Sequence, residues 1–214
     1  MARRNGQVYS AAQSRDQAAL VFKLAAKMAR MSPDLASAVA IKDNAKEMAC
    51  SLTGVFFKAL SAESKTAFGI SPTLIIHDEL GQVRGPRSEL FDALETSFGA
   101  QVDPLSIVIS TQAATDADLL STLIDDARLG GDPKTKLIVY EAPKDAALDD
   151  ESAWRAANPA LGDFQSLDEM RSLAAKAQRM PAFEASFRNL HLNMRVATDN
   201  AFLAPDVWAL NAGE

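Results

Sequence analysis

A single cysteine in 214 residues, Cys50, excludes an internal disulfide framework and suits a reducing compartment. Only two histidines are present, His77 and His191, and no G-x-S-x-G elbow accompanies them, so a Ser-His-Asp triad or a His-based metal site has little to be built from. No stretch approaches the roughly eighteen uninterrupted apolar residues of a membrane-spanning helix. The start, MARRNG, has basic residues with no apolar run behind them, so no signal peptide is read there. Basic charge is not in excess either. With 22 Lys+Arg against 28 Asp+Glu the formal net charge is −6, which argues against a chain that coats itself onto nucleic acid by charge alone. There is no internal repeat and no low-complexity tract. The chain also contains no G-x-x-x-x-G-K-[ST] phosphate loop; RRNGQ at 3–7 lacks the Lys-Ser/Thr pair and is read as a chance string.

What is present is ordinary globular material: 48% hydrophobic and 23% charged residues, enough for one medium domain or one domain with a small appendage. Val8 and Tyr9 open a short strand, Ser14 is placed to cap a helix, and apolar residues from 18 to 29 keep a helical period before Pro33. Residues 38–60 suggest two or three short strands, the clearest at 54–60, and a polar connection follows over 61–72. Further strands are expected at 73–79, 104–111 and 136–141, all in one sheet, with helices at about 86–98 and 116–129, the latter stopped by Gly130-Gly131. Strands alternating with helices at these spacings indicate an α/β domain with a largely parallel sheet. After Pro143 the strand signal stops, and helices are read at about 150–157, 166–179 and 181–190, followed by an irregular, extended tail.

The stretch TLIIHDELGQVRGPRSELFDAL, 73–94, places Asp78 and Glu79 where an apolar strand emerges. Two readings fit. The acids are a solvated strand end, or they are a nucleotide-hydrolysis pair in which Asp78 supports Mg²⁺ and Glu79 activates water. A second apolar strand, VISTQA at 108–113, ends in Ser110, Thr111 and Gln112, whose hydroxyl and amide groups either read a phosphate or close a local turn. In an α/β sheet such groups collect at the carboxyl ends of the strands. His77 is read as a packed strand residue, Trp154 and Trp208 as core aromatics, and Arg84 and Arg87 as solvated side chains.

VYSAAQSRDQA (8–18), LIIHDEL (74–80), ISTQAATDADLLS (109–121), WRAANPALG (154–162) and FRNLHLNMRV (187–196) stand in the order found in tailed-phage terminase large subunits, and the chain resembles that family over nearly its whole length. The resemblance implies a P-loop-NTPase-like fold of the additional-strand type: a mostly parallel α/β sheet flanked by helices, with a C-terminal helical lid or linker subdomain. It implies an ATPase core over 1–145, the helical subdomain over 146–192, and over 193–214 the start of a tether toward a nuclease domain. The implied activity is that of an ATP-driven motor that packages double-stranded viral DNA into capsids in the cytoplasm of the bacterial host. It works as a homo-oligomeric ring at a portal, with a small terminase subunit as partner, no membrane, and an endonuclease in the same family protein. By motif, Asp78 resembles the metal-supporting acid and Glu79 the catalytic base. Ser110, Thr111 and Gln112 resemble the coupling motif, which links loss of the γ-phosphate to movement of the domain, with ATP and Mg²⁺ as the cofactors of the intact protein.

Three departures go with it. In the family the phosphate loop precedes the VYSAA strand, whereas here that strand lies almost at the start, and the nuclease carboxylates would lie beyond residue 214. His77 also stands where an apolar residue is expected. The expectation is therefore an internal part of the ATPase domain that binds no ATP tightly by itself; the alternatives are a catalytically dead prophage remnant and a non-enzymatic α/β interaction domain.

Overall fold

A computed structural model describes residues 4–62 and 69–196, and the chain divides after Ser110 into two compact units. The first is built on a six-stranded sheet of order β2-β3-β4-β1-β5-β6. Strands β1 (Gln7–Ala12), β4 (Phe56–Ser61), β5 (Leu74–Asp78) and β6 (Leu105–Ile109) run parallel. A hairpin of β2 (Val39–Lys42) and β3 (Glu47–Cys50) adds on antiparallel beside β4.

Helix α1 (Arg15–Met31) starts in a complete capping box: the Gln17 backbone N–H donates to Ser14 Oγ, and the Gln17 side chain accepts from the Ser14 backbone. Its buried side is mostly alanine — Ala18, Ala19, Ala26 and Ala29 — with Phe22 stacked on Phe57 at 6.4 Å, so the helix lies close against β1 and β4. Pro33 does more than follow a finished helix. It sits in the first turn of a short second helix, α2 (Pro33–Ala38), where its missing N–H has no intrahelical acceptor to lose. On the other face of the sheet, α3 (Glu89–Thr96), capped by Ser88, sends Leu90 and Leu94 into a cluster with Tyr9, Ala11, Leu60 and Ile75.

The second unit is helical. Helix α4 (Leu119–Leu129) ends at Gly130, whose φ of 68° is the left-handed cap that glycine adopts without a Cβ penalty. Helices α5 (Glu151–Ala157), α6 (Leu167–Arg179) and α7 (Glu184–His191) surround Trp154, Met170, Ala174, Phe187 and Leu192. The buried indole is satisfied, since Trp154 Nε1 donates to the Leu148 carbonyl at 2.9 Å.

Two expectations from the sequence are corrected. Residues 136–141 form no strand; exposure alternates along them as in a strand, but the backbone at their end bonds elsewhere, Tyr140 O accepting from Asn193 Nδ2 and the next-but-one N–H, of Ala142, donating to Leu192 O. Strand composition needs a ladder partner to become a strand. The apolar run at 105–109 is not buried. As an edge strand paired on one side only, β6 leaves Leu105 and Ile109 more than half exposed. Trp208 and the tail from 197 onward lie outside the described residues, and no described helix is long and apolar enough to cross a membrane.

Ile75, fully buried in β5 between β1 and β6, should be among the costliest single truncations in this unit. Ile75→Ala is expected to lose about 2–5 kcal/mol by lost transfer energy and a residual cavity, read from the urea midpoint at unchanged m-value.

Candidate active site

The period of two along β5 sorts its side chains. Ile75 and His77 are buried, while Leu74, Ile76 and Asp78 are half-buried on the opposite face. Register then decides what emerges together. Asp78 is opposite Ile109 in the parallel ladder, so Glu79 and Ser110 are the next residues out on neighbouring strands. Two hydrogen bonds tie these ends. The Glu79 N–H donates to the Ile109 carbonyl at 2.8 Å, and the Gly81 N–H donates to Ser110 Oγ at 2.8 Å. The hydroxyl that the sequence offered as a phosphate reader thus also braces the turn after the two acids.

Glu79 has φ 54° and ψ 41°, in the left-handed region, and leads into a single 3₁₀ turn at Leu80–Gln82. For a side chain with a Cβ this conformation costs on the order of 1–2 kcal/mol. Asparagine and glycine tolerate it readily; glutamate does not. The strain persists because the N–H on one side completes the ladder with β6 and the 3₁₀ turn on the other side is held by Ser110 and by Gln17 Nε2, which donates to Gln82 Oε1 at 2.7 Å. Backbone strain of this kind is stored where the direction of a side chain matters.

Burial pushes the Asp78 carboxyl above the usual carboxylate range, partly offset by the Glu79 backbone N–H. His77 is accounted for structurally. It is 3% exposed, Nε2 lies 2.9 Å from Glu95 Oε1, and its ring meets Phe91 at 4.7 Å. Ser106 Oγ donates to the same Glu95 oxygen at 2.7 Å, so α3 is pinned across β5 and β6 directly behind the acids. Glu95 and Ser106 carry no motif that would have singled them out in the sequence.

Among the described residues no three His, Cys, Asp or Glu side chains gather to cage a metal ion. The Asp78 carboxylate is a hard oxygen donor of the kind Mg²⁺ takes one or two of, with water and phosphate oxygens filling the rest of its shell. A small cleft of about 10 Å³ beside Asp78, lined by Ala12, Gln13, Leu80 and Ser88, has room for no more than one water. The larger cavity of the first unit, about 400 Å³ among Tyr9, Lys42, Glu47, Met48, Phe56 and Lys58, does not include either acid, and chemistry rather than size locates the candidate site. Thr111 and Gln112 open the second unit, where Gln112 is buried and its N–H donates to Asn193 Oδ1 at 2.6 Å. Arg84 is exposed, and Arg87 lies 3.5 Å from Asp92 while 83% exposed, both as a solvated pattern requires.

Replacing Glu79 with Gly should leave the chain at least as stable as wild type, by up to about 1 kcal/mol once the relieved strain is set against the greater unfolded-state entropy of Gly. Glu79→Val should instead lose about 1–2 kcal/mol, and paired urea titrations would show the difference. Asp78 has a defined sign in pH. Its folded carboxyl is raised, so its contribution to stability is fully present below the unfolded value near ~4 and is lost as pH rises through the raised folded value. Asp78→Asn should therefore be more stable than wild type at pH ~7, with the advantage vanishing below pH ~4, as followed by melting temperature across that range.

Residues 1–128 match the family model described as terminase large subunit, ATPase domain. The chain is 53% identical over 206 residues to the terminase large subunit of Enterobacteria phage HK97, a match covering 96% of this chain and 41% of that protein. The crystal structure of the HK97 large terminase superposes with a TM-score of 0.88 at 53% identity, covering 98% of this chain and 44% of that one. The large terminase ATPase domain of Thermus phage P74-26 is similar only at a TM-score of 0.44 and 19% identity over 51% of this chain, too distant to support an argument. The chain spans about two-fifths of the length of its HK97 relative. With the family model over more than half its residues, this chain belongs to the terminase large subunit ATPase-domain family.

Proposed function

We propose that this chain is the part of a viral DNA-packaging motor that carries the metal-supporting acid, the catalytic base and the γ-phosphate-sensing residues. The observation that carries the reading is the Asp78-Glu79 pair at the carboxyl end of β5, with Glu79 held in a left-handed conformation by the bond from its N–H to Ile109 O. In this reading Mg²⁺ neutralises charge on the β- and γ-phosphates of ATP when bound. Asp78 supplies a hard oxygen donor to that ion. A divalent cation beside Asp78 would draw its raised carboxyl back down, because the ion's charge offsets the desolvation that disfavours the carboxylate. Glu79 accepts the proton of the attacking water, and its strained backbone fixes where the carboxylate points. Ser110, Thr111 and Gln112 report the loss of the γ-phosphate. Double-stranded DNA, a portal, a small subunit and further copies of the chain in a ring are the partners this function requires.

The test uses the chain extended in frame at its N-terminus by a Gly-Lys-Ser/Thr phosphate loop, with the 214-residue chain as control. The control is expected to bind ATP–Mg²⁺ no tighter than about millimolar, because two carboxylates alone repel a polyphosphate. In the extended chain, Glu79→Gln should lower turnover at least about 100-fold while ATP affinity stays within about threefold. Asp78→Asn should instead raise the Mg²⁺ concentration needed for half-maximal rate. Near-normal turnover in Glu79→Gln would reassign the base to another residue.

A further inference from the structure

The FRNLHLNMRV stretch has a physical role in the second unit. Residues 192–196 lie as a strap between the segment that follows Thr111 and the extended segment at 136–142. Val196 N–H donates to Ala114 O at 2.7 Å, Ala142 N–H donates to Leu192 O at 3.0 Å, and Asn193 Nδ2 donates to Tyr140 O at 2.8 Å. Arg195 closes the strap: it pairs with both carboxylate oxygens of Asp125 at 2.7 Å, reaches Asp116 at 3.0 Å, and donates to Ser121 O. The WRAANPALG stretch joins the same assembly, since Asn158 Nδ2 donates to His191 O at 2.7 Å.

Gln112 is at the centre of this network. Its N–H donates to Asn193 Oδ1 at 2.6 Å, and its carbonyl accepts from Asn189 Nδ2 at 3.2 Å, with Ala113 O at 3.3 Å and Met194 O at 2.9 Å sharing the same amide. The Gln112 side chain is 4% exposed, and its Oε1 has no hydrogen-bond partner among the described residues. No hydrogen bond to that oxygen from the described residues holds the side chain, so the hydrogen bonds that fix Gln112 are those of its main chain. That backbone is held on both sides by two asparagines of the strap and α7. Asn193 itself has φ 53°, a conformation asparagine tolerates, so the acceptor is presented by a left-handed residue in a fixed place.

We propose that Asn189 and Asn193 are positioning residues for Gln112: together they fix the main-chain segment from which its buried side chain projects. The functional consequence rests on the reading of Gln112 as a γ-phosphate sensor, whereas the clamp itself can be tested without nucleotide, so the two fail separately.

The test is amide hydrogen exchange by NMR on the 214-residue chain, with the amides of α6 in the same unit as internal reference. Asn193→Gly keeps the left-handed backbone and removes only the side chain. It should speed exchange of the Gln112 amide about tenfold or more, with α6 amides changing less than about threefold. Asn193→Asp retains an acceptor for the Gln112 N–H and a residue tolerated at positive φ but loses the donor to Tyr140 O, so it should recover part of the Gln112 protection that Asn193→Gly loses. Asn189→Ala, which favours helix α7 intrinsically, should shift the Gln112 and Ala113 resonances while the α6 resonances stay in place. Unchanged Gln112 exchange in Asn193→Gly would overturn the proposal. So would failure of the Asp variant to restore protection, or equal acceleration of Gln112 and α6, which would make Asn193 a general stabiliser of the unit.

Discussion

The parallel register between β5 and β6 is the constraint on which the candidate site depends. Because Asp78 is opposite Ile109, the ladder's next N–H is that of Glu79, and its bond to Ile109 O is made while Glu79 turns into the left-handed region. A slip of one residue would exchange the faces of Asp78 and His77, sending the acid into the α3 side and the imidazole toward solvent. The His77–Glu95–Ser106 contacts oppose that slip, since they bind the buried imidazole on β5 to α3 and to β6 at once. His77, which departs from the expected apolar residue, in this way secures the register that delivers its neighbour.

Beyond Ser110 the physical logic changes from a ladder to a set of side-chain clamps. The backbone of Gln112 is held by two asparagine amides, and Arg195 draws Asp116 and Asp125 together across the start of α4. At the buried Gln112 such bonds are demanding, because a buried polar group left unpaired costs about 1–3 kcal/mol, whereas the acids that Arg195 meets are exposed. The Arg195 guanidinium holds the Asp125 carboxyl below the usual carboxylate range, so that contact stays ionic across the neutral region.

Much of this was legible in the sequence. The capped helix at 15–31, the apolar run ending in Asp78, and the helices after Pro143 all follow from local patterns: an N-cap with a helical period, an apolar strand core, proline and asparagine breaks. Three features were not. Residues 136–141 have strand composition without a strand, because pairing is a relation between segments and here the backbone bonds to the strap. The 105–109 run looks buried but forms an edge, since an apolar pattern gives no information on which sheet position a strand takes. Asn189 and Asn193 stood in a motif without an assigned role, because a backbone clamp on a residue far away in sequence leaves no local spacing to read.

By itself, then, the sequence determined which groups are available and at which ends of which elements: two acids and three polar residues at the tips of apolar strands, in the order characteristic of one family. Local propensity and period are properties of neighbours along the chain, and they are enough for that. Only the tertiary structure decided that Glu79 is bent into a strained conformation, that Ser110 braces its turn, and that Gln112 is held through its main chain by the strap. Each of these is a hydrogen bond between residues distant in sequence, and its geometry exists only once the register and the packing of the helices have been set.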